Sequence, residues 1–316
     1  MAFATLKTTL AALIALTLPH TAPAQIADQP DLAAAIRGLG TELSRDSVGG
    51  TFKLYAPQHA SDSDAGLTVT RDRAYGDHDR HRLDVYAPQG ADSLPVMVFV
   101  HGGGFVRGDK KGAANIGRWF ARHDVVTVTL NYRFAPDAQW PSGAQDVRRA
   151  LDWIAANIAA LGGDPARIVL AGNSAGAMHV ADYTFREDLQ AGDDGVIGAI
   201  LISPPTVDLT ARPVDPKRDA LYYGTDGDRA AQSVINALDG RRIPLLIAYA
   251  ELEPEVISDQ TRRLIEAVAR RDGRLPLVAS APGHNHISIV EHIGTADQTL
   301  APDMLAFVRL QALGLR

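Results

Sequence analysis

Eight short apolar, β-branched runs alternate with helix-patterned segments along most of this chain, and that alternation is the strongest constraint on its fold. The runs fall at 67–71, 82–86, 96–100, 125–130, 168–171, 196–202, 245–250 and 277–280. A run such as Val96-Met97-Val98-Phe99-Val100 has no polar face. Both of its sides must be covered, as in a parallel sheet clothed by helices. Helical patterns lie at 113–121, 143–161, 175–185, 258–271 and 303–310. In the second of these, Val147, Ala150, Leu151, Ile154, Ile158 and Leu161 recur at helical spacing and are read as core. The first two runs are separated by a turn-rich stretch, which allows an antiparallel pair.

Within that pattern one turn stands out. The run Arg167-Ile168-Val169-Leu170-Ala171 leads into Gly172-Asn173-Ser174-Ala175-Gly176, and a helix former-rich stretch follows to Phe185. A serine between a buried strand and a helix, flanked by small residues, has the nucleophile-elbow arrangement. It holds the Ser174 hydroxyl out of the fold and the N–H of Ala175 where an oxyanion would form. The run 96–100 ends in His101-Gly102-Gly103-Gly104-Phe105. Three glycines expose backbone N–H groups that can meet developing negative charge. A phosphate loop would carry a Lys-Ser/Thr pair or a G-x-G-x-x-G run opening a helix, and neither follows.

Taken together, His101 to Phe105, Asn131-Tyr132-Arg133-Phe134-Ala135-Pro136, Gly162-Gly163-Asp164-Pro165, Gly172 to Gly176, Glu251-Leu252-Glu253-Pro254 and Gly283-His284-Asn285-His286 resemble the motifs of the hormone-sensitive-lipase-like serine carboxylesterases, in the family's order. The resemblance implies an α/β-hydrolase fold: a mostly parallel twisted sheet of about eight strands, helices on both faces and a small cap. It implies the chain order serine, acid, histidine. Ser174 is then the nucleophile, His286 the base and Glu253 the acid. Gly103, Gly104 and Ala175 supply the oxyanion hole. Glu251 competes with Glu253, because both follow the seventh run directly. His284 competes with His286, and is taken as a neighbouring loop residue. The resemblance also pairs Arg133 with Asp146 for structure. No cofactor or metal is implied, and the partner is a small-molecule ester.

Domain organisation follows the same reading. Residues 1–24 form an export signal: Lys7 is the only charge before Asp28, 9–18 is a short apolar run, and Ala22-Pro23-Ala24 offers a cleavage site. That places the mature protein in the periplasm or outside the cell. Residues 25–60 form an N-terminal extension near the active-site mouth, with a helix over 31–43 and a strand-like 51–55. The hydrolase domain covers 61–316. Its insertion around 204–243 interrupts the alternation and supplies the cap.

Composition narrows the rest. The chain has 316 residues, 46% of them hydrophobic, enough for one large domain. A formal net charge of −6 without a basic block argues against a nucleic-acid partner. Zero cysteines exclude thiol nucleophiles, thiolate metal sites and disulfides. No second long apolar run follows the first, so no membrane span is expected. Asp77, His78, Asp79 and His81 are read as a solvated turn, and Phe105, Tyr132, Trp140 and Met178 as either pocket lining or core. The alternatives to a short-chain or aryl carboxylesterase are an acetyl- or feruloyl-type polysaccharide esterase, an arylformamide hydrolase, and a non-catalytic small-molecule binder.

Overall fold

The computed structural model describes residues 25–315, so the expected export signal at 1–24 lies outside the described residues. Eight strands form one sheet: β1 (Leu67–Ala74), β2 (Arg82–Pro88), β3 (Leu94–Val100), β4 (Val126–Leu130), β5 (Gly163–Asn173), β6 (Val196–Ile202), β7 (Leu245–Leu252) and β8 (Leu277–Asn285). Their order is β1-β2-β4-β3-β5-β6-β7-β8. β1–β2 and β2–β4 are antiparallel, and every other neighbouring pair is parallel. Each expected apolar run is one of these strands.

The helices are α1 (Pro30–Gly38), α2 (Arg45–His59), α3 (Ala114–Ala121), α4 (Ser142–Asn157), α5 (Ala175–Phe185), α6 (Asp219–Tyr223), α7 (Arg229–Gln232), α8 (Glu255–Asp272), α9 (Ser288–Glu291) and α10 (Ala301–Ala312). The pleat of β3 explains how they are shared between the two faces. Val96, Val98 and Val100 join the core built with α4, α5 and α8, whereas Met97 and Phe99 join the core built with α3 and α10. Successive side chains of one apolar strand thus feed two separate cores. Val147, Ala150, Leu151, Ile154 and Ile158 are all buried in the first of them.

Two expectations are corrected. The segment 51–55 is not a strand but the middle of α2. Thr51, Phe52 and Tyr55 are strand formers, yet local preference yields to burial here. The Ser44 hydroxyl caps the helix by accepting from Ser47 N at 3.0 Å. Ser47, Thr51 and Tyr55, four residues apart, then form one buried face. The expected helix at 31–43 is correspondingly shorter, ending at Gly38.

The turn at 77–81 is only partly solvated. Asp77, His78 and Asp79 are exposed, but His81 is buried and its Nε2 lies 3.0 Å from Asp146 Oδ1. Asp146 also receives Arg133, at 2.8 Å. The fully buried carboxylate draws both side chains toward it because it must be paired.

Candidate active site

β5 stops at Asn173 and α5 starts at Ala175, which leaves Ser174 alone in the turn at φ 54° and ψ −122°. A positive φ is strained for a residue with a Cβ, so the surroundings must enforce it. Ser174 N donates to Ile202 O of β6 at 2.8 Å. A Cβ on Gly176 would lie 2.1 Å from Val100 O, so the first turn of α5 presses on the end of β3. Only glycine at 176 permits that approach.

The same end of β3 supplies the loop from His101 to Gly104. Gly103 has φ 139°, and a Cβ there would lie 1.8 Å from Arg107 O. The loop therefore folds back on itself with bare backbone on its inner side. Gly102, Gly103, Gly104, Asn173 and Ser174 line one cavity of about 380 Å³. Ala175 opens α5, where the first helical N–H groups have no intrahelical partner. Such N–H groups carry the positive end of the helix dipole.

The other half of the site comes from the last two strands. β7 and β8 run parallel, with Leu252 opposite Asn285 as the final register pair. Glu253 and His286 are the first residues beyond the two strands. Glu253 Oε2 lies 2.7 Å from His286 Nδ1, and both side chains are buried. Glu253 Oε1 accepts from the Ser203 hydroxyl and from Ala250 N, the latter at 3.3 Å. With its carboxylate so bonded, Glu253 takes a proton-bearing Nδ1 as partner. The lone pair of His286 is left on Nε2. His286 and Ser174 line the same cavity, without a direct hydrogen bond between them among the described residues.

The rival residues are placed elsewhere. Glu251 is half exposed; its Oε2 accepts from Gly283 N at 2.7 Å and its Oε1 is 3.7 Å from Arg37 of α1. It therefore braces the backbone leading into the histidine loop. His284 points away from His286: its Nε2 lies 3.1 Å from Asp297 Oδ2 and its Nδ1 3.1 Å from the Ser288 hydroxyl. His284, His292 and Asp297 form a fully buried cluster with the spacing of a metal site. His292, however, has both ring nitrogens engaged by backbone, Nδ1 with Ser288 O at 3.0 Å and Nε2 with Leu300 N at 3.2 Å. Among the described residues only His284 and Asp297 of this cluster remain as ligands, fewer than a structural zinc needs, so the cluster reads as a brace. Burial holds His292 down at about 4, well below an ordinary imidazole.

Of the four candidate lining residues, only Phe105 borders the cavity; Tyr132 and Met178 lie in the core and Trp140 packs against it. Five contributors were missed by sequence reading. Ser203, which supports Glu253, follows β6 directly at φ 50°. It is a serine at a strand end, in the same position relative to β6 as Ser174 is to β5. Asn285 and Thr51 bond to each other at 2.9 Å. Helix α2 brings Val48 and Phe52 into the cavity wall, which a strand at 51–55 would not suggest. The cavity is also lined by two ion pairs from 204–243, Arg212–Asp219 at 3.1 Å and Arg218–Asp215 at 2.7 Å.

Comparison with known proteins supplies the context for this geometry. The sequence model of the carboxylesterase family matches residues 50–211. That stretch includes the 101–104 loop and the Ser174 elbow but stops short of Glu253 and His286. Bile salt-activated lipase of Mus musculus is 38% identical over 137 residues, covering 37% of this chain and 23% of the lipase. Isoprenylcysteine alpha-carbonyl methylesterase ICME of Arabidopsis thaliana is 41% identical over 114 residues, covering 36% of this chain and 26% of that protein. The matched stretches thus span about a quarter of the length of these curated relatives. Among solved structures, esterase B from Lactobacillus rhamnosis superposes with a TM-score of 0.68 at 17% identity, covering 91% of this chain and 97% of the other, which establishes a shared fold.

Proposed function

The chain belongs to the carboxylesterase family, and from that premise we propose that it hydrolyses short-chain or aryl carboxylic esters through an acyl-enzyme intermediate. The observation that carries the reading is the 2.7 Å bond between Glu253 and His286 beside a cavity that also holds the strained Ser174. In this reading Ser174 Oγ attacks the ester carbonyl while His286 Nε2 takes its proton. Glu253 keeps the other imidazole proton on Nδ1 and stabilises the imidazolium that forms. The N–H groups of Gly103, Gly104 and Ala175 receive the oxyanion. His286 then protonates the departing alcohol. A water, deprotonated by the same imidazole, frees the acyl group from Ser174.

The cavity walls argue for a modest substrate with one apolar end. Val48, Phe52, Ile116 and Ile287 are among its lining residues, and their apolar surface suits a small acyl chain or an aryl ring. The Arg212–Asp219 and Arg218–Asp215 pairs, which also line the cavity, bring both donors and acceptors to it. They favour a second reading of the same chemistry, an acetyl or feruloyl ester on a hydroxyl-rich alcohol. One experiment covers both: a hydrolysis panel of 4-nitrophenyl esters from acetyl upward, with acetylxylan, methyl ferulate and an aryl formamide, run on wild type and Ser174→Ala. Wild-type turnover lost in Ser174→Ala supports the reading. Absence of turnover on every ester, or turnover that survives in Ser174→Ala, overturns it.

We also propose that the protein is exported, with a mature N-terminus at Gln25. The support is the Lys7, 9–18 and Ala22-Pro23-Ala24 pattern. No helix among the described residues is long and apolar enough to cross a membrane. N-terminal sequencing of protein from the native host decides it, and an intact Met1 in the cytoplasmic fraction would refute it.

A further inference from the structure

Helix α2 presents two different faces to the site. Val48 and Phe52, four residues apart, line the cavity. Ser47, Thr51 and Tyr55, on the adjacent face, are buried against the body of the protein. The contact that matters runs from Thr51 to the residue just before His286.

Hydrogen bonding fixes the polarity of that contact. The Thr51 hydroxyl donates to Ser47 O within its own helix at 2.8 Å. Its oxygen can therefore only accept from outside, and it accepts from Asn285 Nδ2 at 2.9 Å. The amide of Asn285 is thereby oriented: its NH2 faces Thr51 and its oxygen faces the other way. Asn285 Oδ1 accepts from Ile287 N at 3.0 Å and from Ser288 N at 2.9 Å. Asn285 N in turn donates to the Ser288 hydroxyl at 2.8 Å. These bonds span His286 on both sides and hold the first N–H of α9, whose residues Val290 and Glu291 also border the cavity. With Nδ1 held by Glu253, the place of Nε2 is set by the backbone of 285–287, which this amide clamps.

We propose that Thr51 and Asn285 are positioning residues that couple the pocket-facing helix α2 to the general base, so that the seat of the substrate and the aim of His286 are set by one element. The inference rests on the esterase reading above. A displacement of α2 carries the Asn285 amide with it, and a base misplaced by a fraction of an ångström loses rate while substrate binding persists.

The test is Thr51→Val, which keeps the shape and removes the acceptor, beside Thr51→Ser, which keeps the hydroxyl. Thr51→Ala serves as a second acceptor-free variant should the valine fail to fold. On 4-nitrophenyl acetate the acceptor-free variants should lose about tenfold in kcat with KM changed less than about twofold. Thr51→Ser should restore kcat to near wild type. Hydrogen exchange at the amides of Ile287 and Ser288 should accelerate in Thr51→Val and not in Thr51→Ser. Wild-type kcat in Thr51→Val with only a lowered melting temperature, or equal losses in the valine and serine variants, overturns the coupling and leaves the esterase reading intact. If wild type cleaves no ester, the esterase reading fails by itself. The exchange rates then decide the coupling, and unchanged protection of Ile287 and Ser288 in Thr51→Val overturns it.

Discussion

Leu252 and Asn285 are the last register partners of β7 and β8, and one residue beyond them Glu253 meets His286 at 2.7 Å. The pairing is thus tied to the β7–β8 register, including the shift that the register takes between Ala250 and Leu252. A slip of one residue in β8 would turn His286 to the opposite face of the sheet. Glu251, two residues earlier, bonds Gly283 N and helps hold that register from the loop side.

The two glutamates separate cleanly in experiment. Glu253→Gln should lower kcat by roughly 10³- to 10⁴-fold, because an amide supports neither the required tautomer nor the imidazolium. Glu251→Gln should keep kcat within a few-fold and lower the melting temperature by a few degrees. Kinetics and thermal melts of both variants check this. A reversed pattern would move the acid two residues upstream.

Ser174→Ala should abolish turnover and leave the fold intact, with a residual rate about 10³-fold above water from binding and the oxyanion donors alone. An organophosphonate should modify Ser174 and no other serine in the wild type. Peptide mapping of the adduct reads the outcome directly, and an adduct on any other serine would remove Ser174 from its role.

Gly176→Ala should be far more damaging than its one methyl suggests. The new Cβ would meet the backbone of Val100 and His101, at 2.1 and 2.6 Å, and neither can yield without moving β3 or α5. The expected result is loss of soluble protein, or a folded variant with both a depressed melting temperature and little turnover. A variant with wild-type melting and kcat would contradict the close approach described at the elbow.

Phe52→Ala tests the wall contributed by α2. Phe52 is 47% exposed and borders the cavity, so its loss costs the fold little. The expected change is a rise in KM for butyryl and longer esters with acetyl esters nearly unaffected, since each lost apolar contact weakens binding of the chain that used it. Steady-state kinetics across the chain-length series checks the split.

Stability should fall as the medium is acidified below about pH 6.5. Burial lowers His101 to about 4, His179 to about 3 and His292 to about 4. Each folded value lies below the unfolded one, so the unfolded chain binds more protons in between. The stabilisation is complete above the unfolded value and is lost as pH falls toward the folded values, by up to about 1.4 kcal/mol per pH unit for each group. Asp182, raised to about 6 by burial, works in the opposite sense below that pH and offsets part of the loss. Denaturant titrations from pH 7.5 to 5 should show a steadily falling midpoint. A level or rising midpoint would contradict it.

Much of this architecture is legible in the sequence, for a physical reason. Strands such as β3 are apolar on both sides, and the run 96–100 is bounded by Pro95 and the His101-Gly102-Gly103-Gly104 loop, so it has one reading. The chemistry-bearing turns lie at strand ends, where the sequence marks them with small residues. What escapes notice depends on tertiary burial. Thr51 and Tyr55 prefer strands in isolation and become helical because Ser47, Thr51 and Tyr55 find a common buried surface. His81 looks solvated until Asp146, distant in sequence, is placed beneath it. Ser203 acts on Glu253, 50 residues away, and Asn285 is tied to Thr51, 234 residues away, so neither partnership is visible locally.

The sheet order separates the parts of the site by depth. Ser174 and the glycine loop hang from β5 and β3, neighbours in the middle of the sheet with strands on both sides. Glu253 and His286 hang from β7 and β8, and β8 is the sheet's outermost strand. Outer elements open more often than central ones. Local opening would therefore disarm the proton-transfer pair first, while the serine turn stays folded. On the proposed esterase reading such a partly unfolded molecule would be silent, its serine still shaped but no longer driven, and turnover would return when a single edge strand closes.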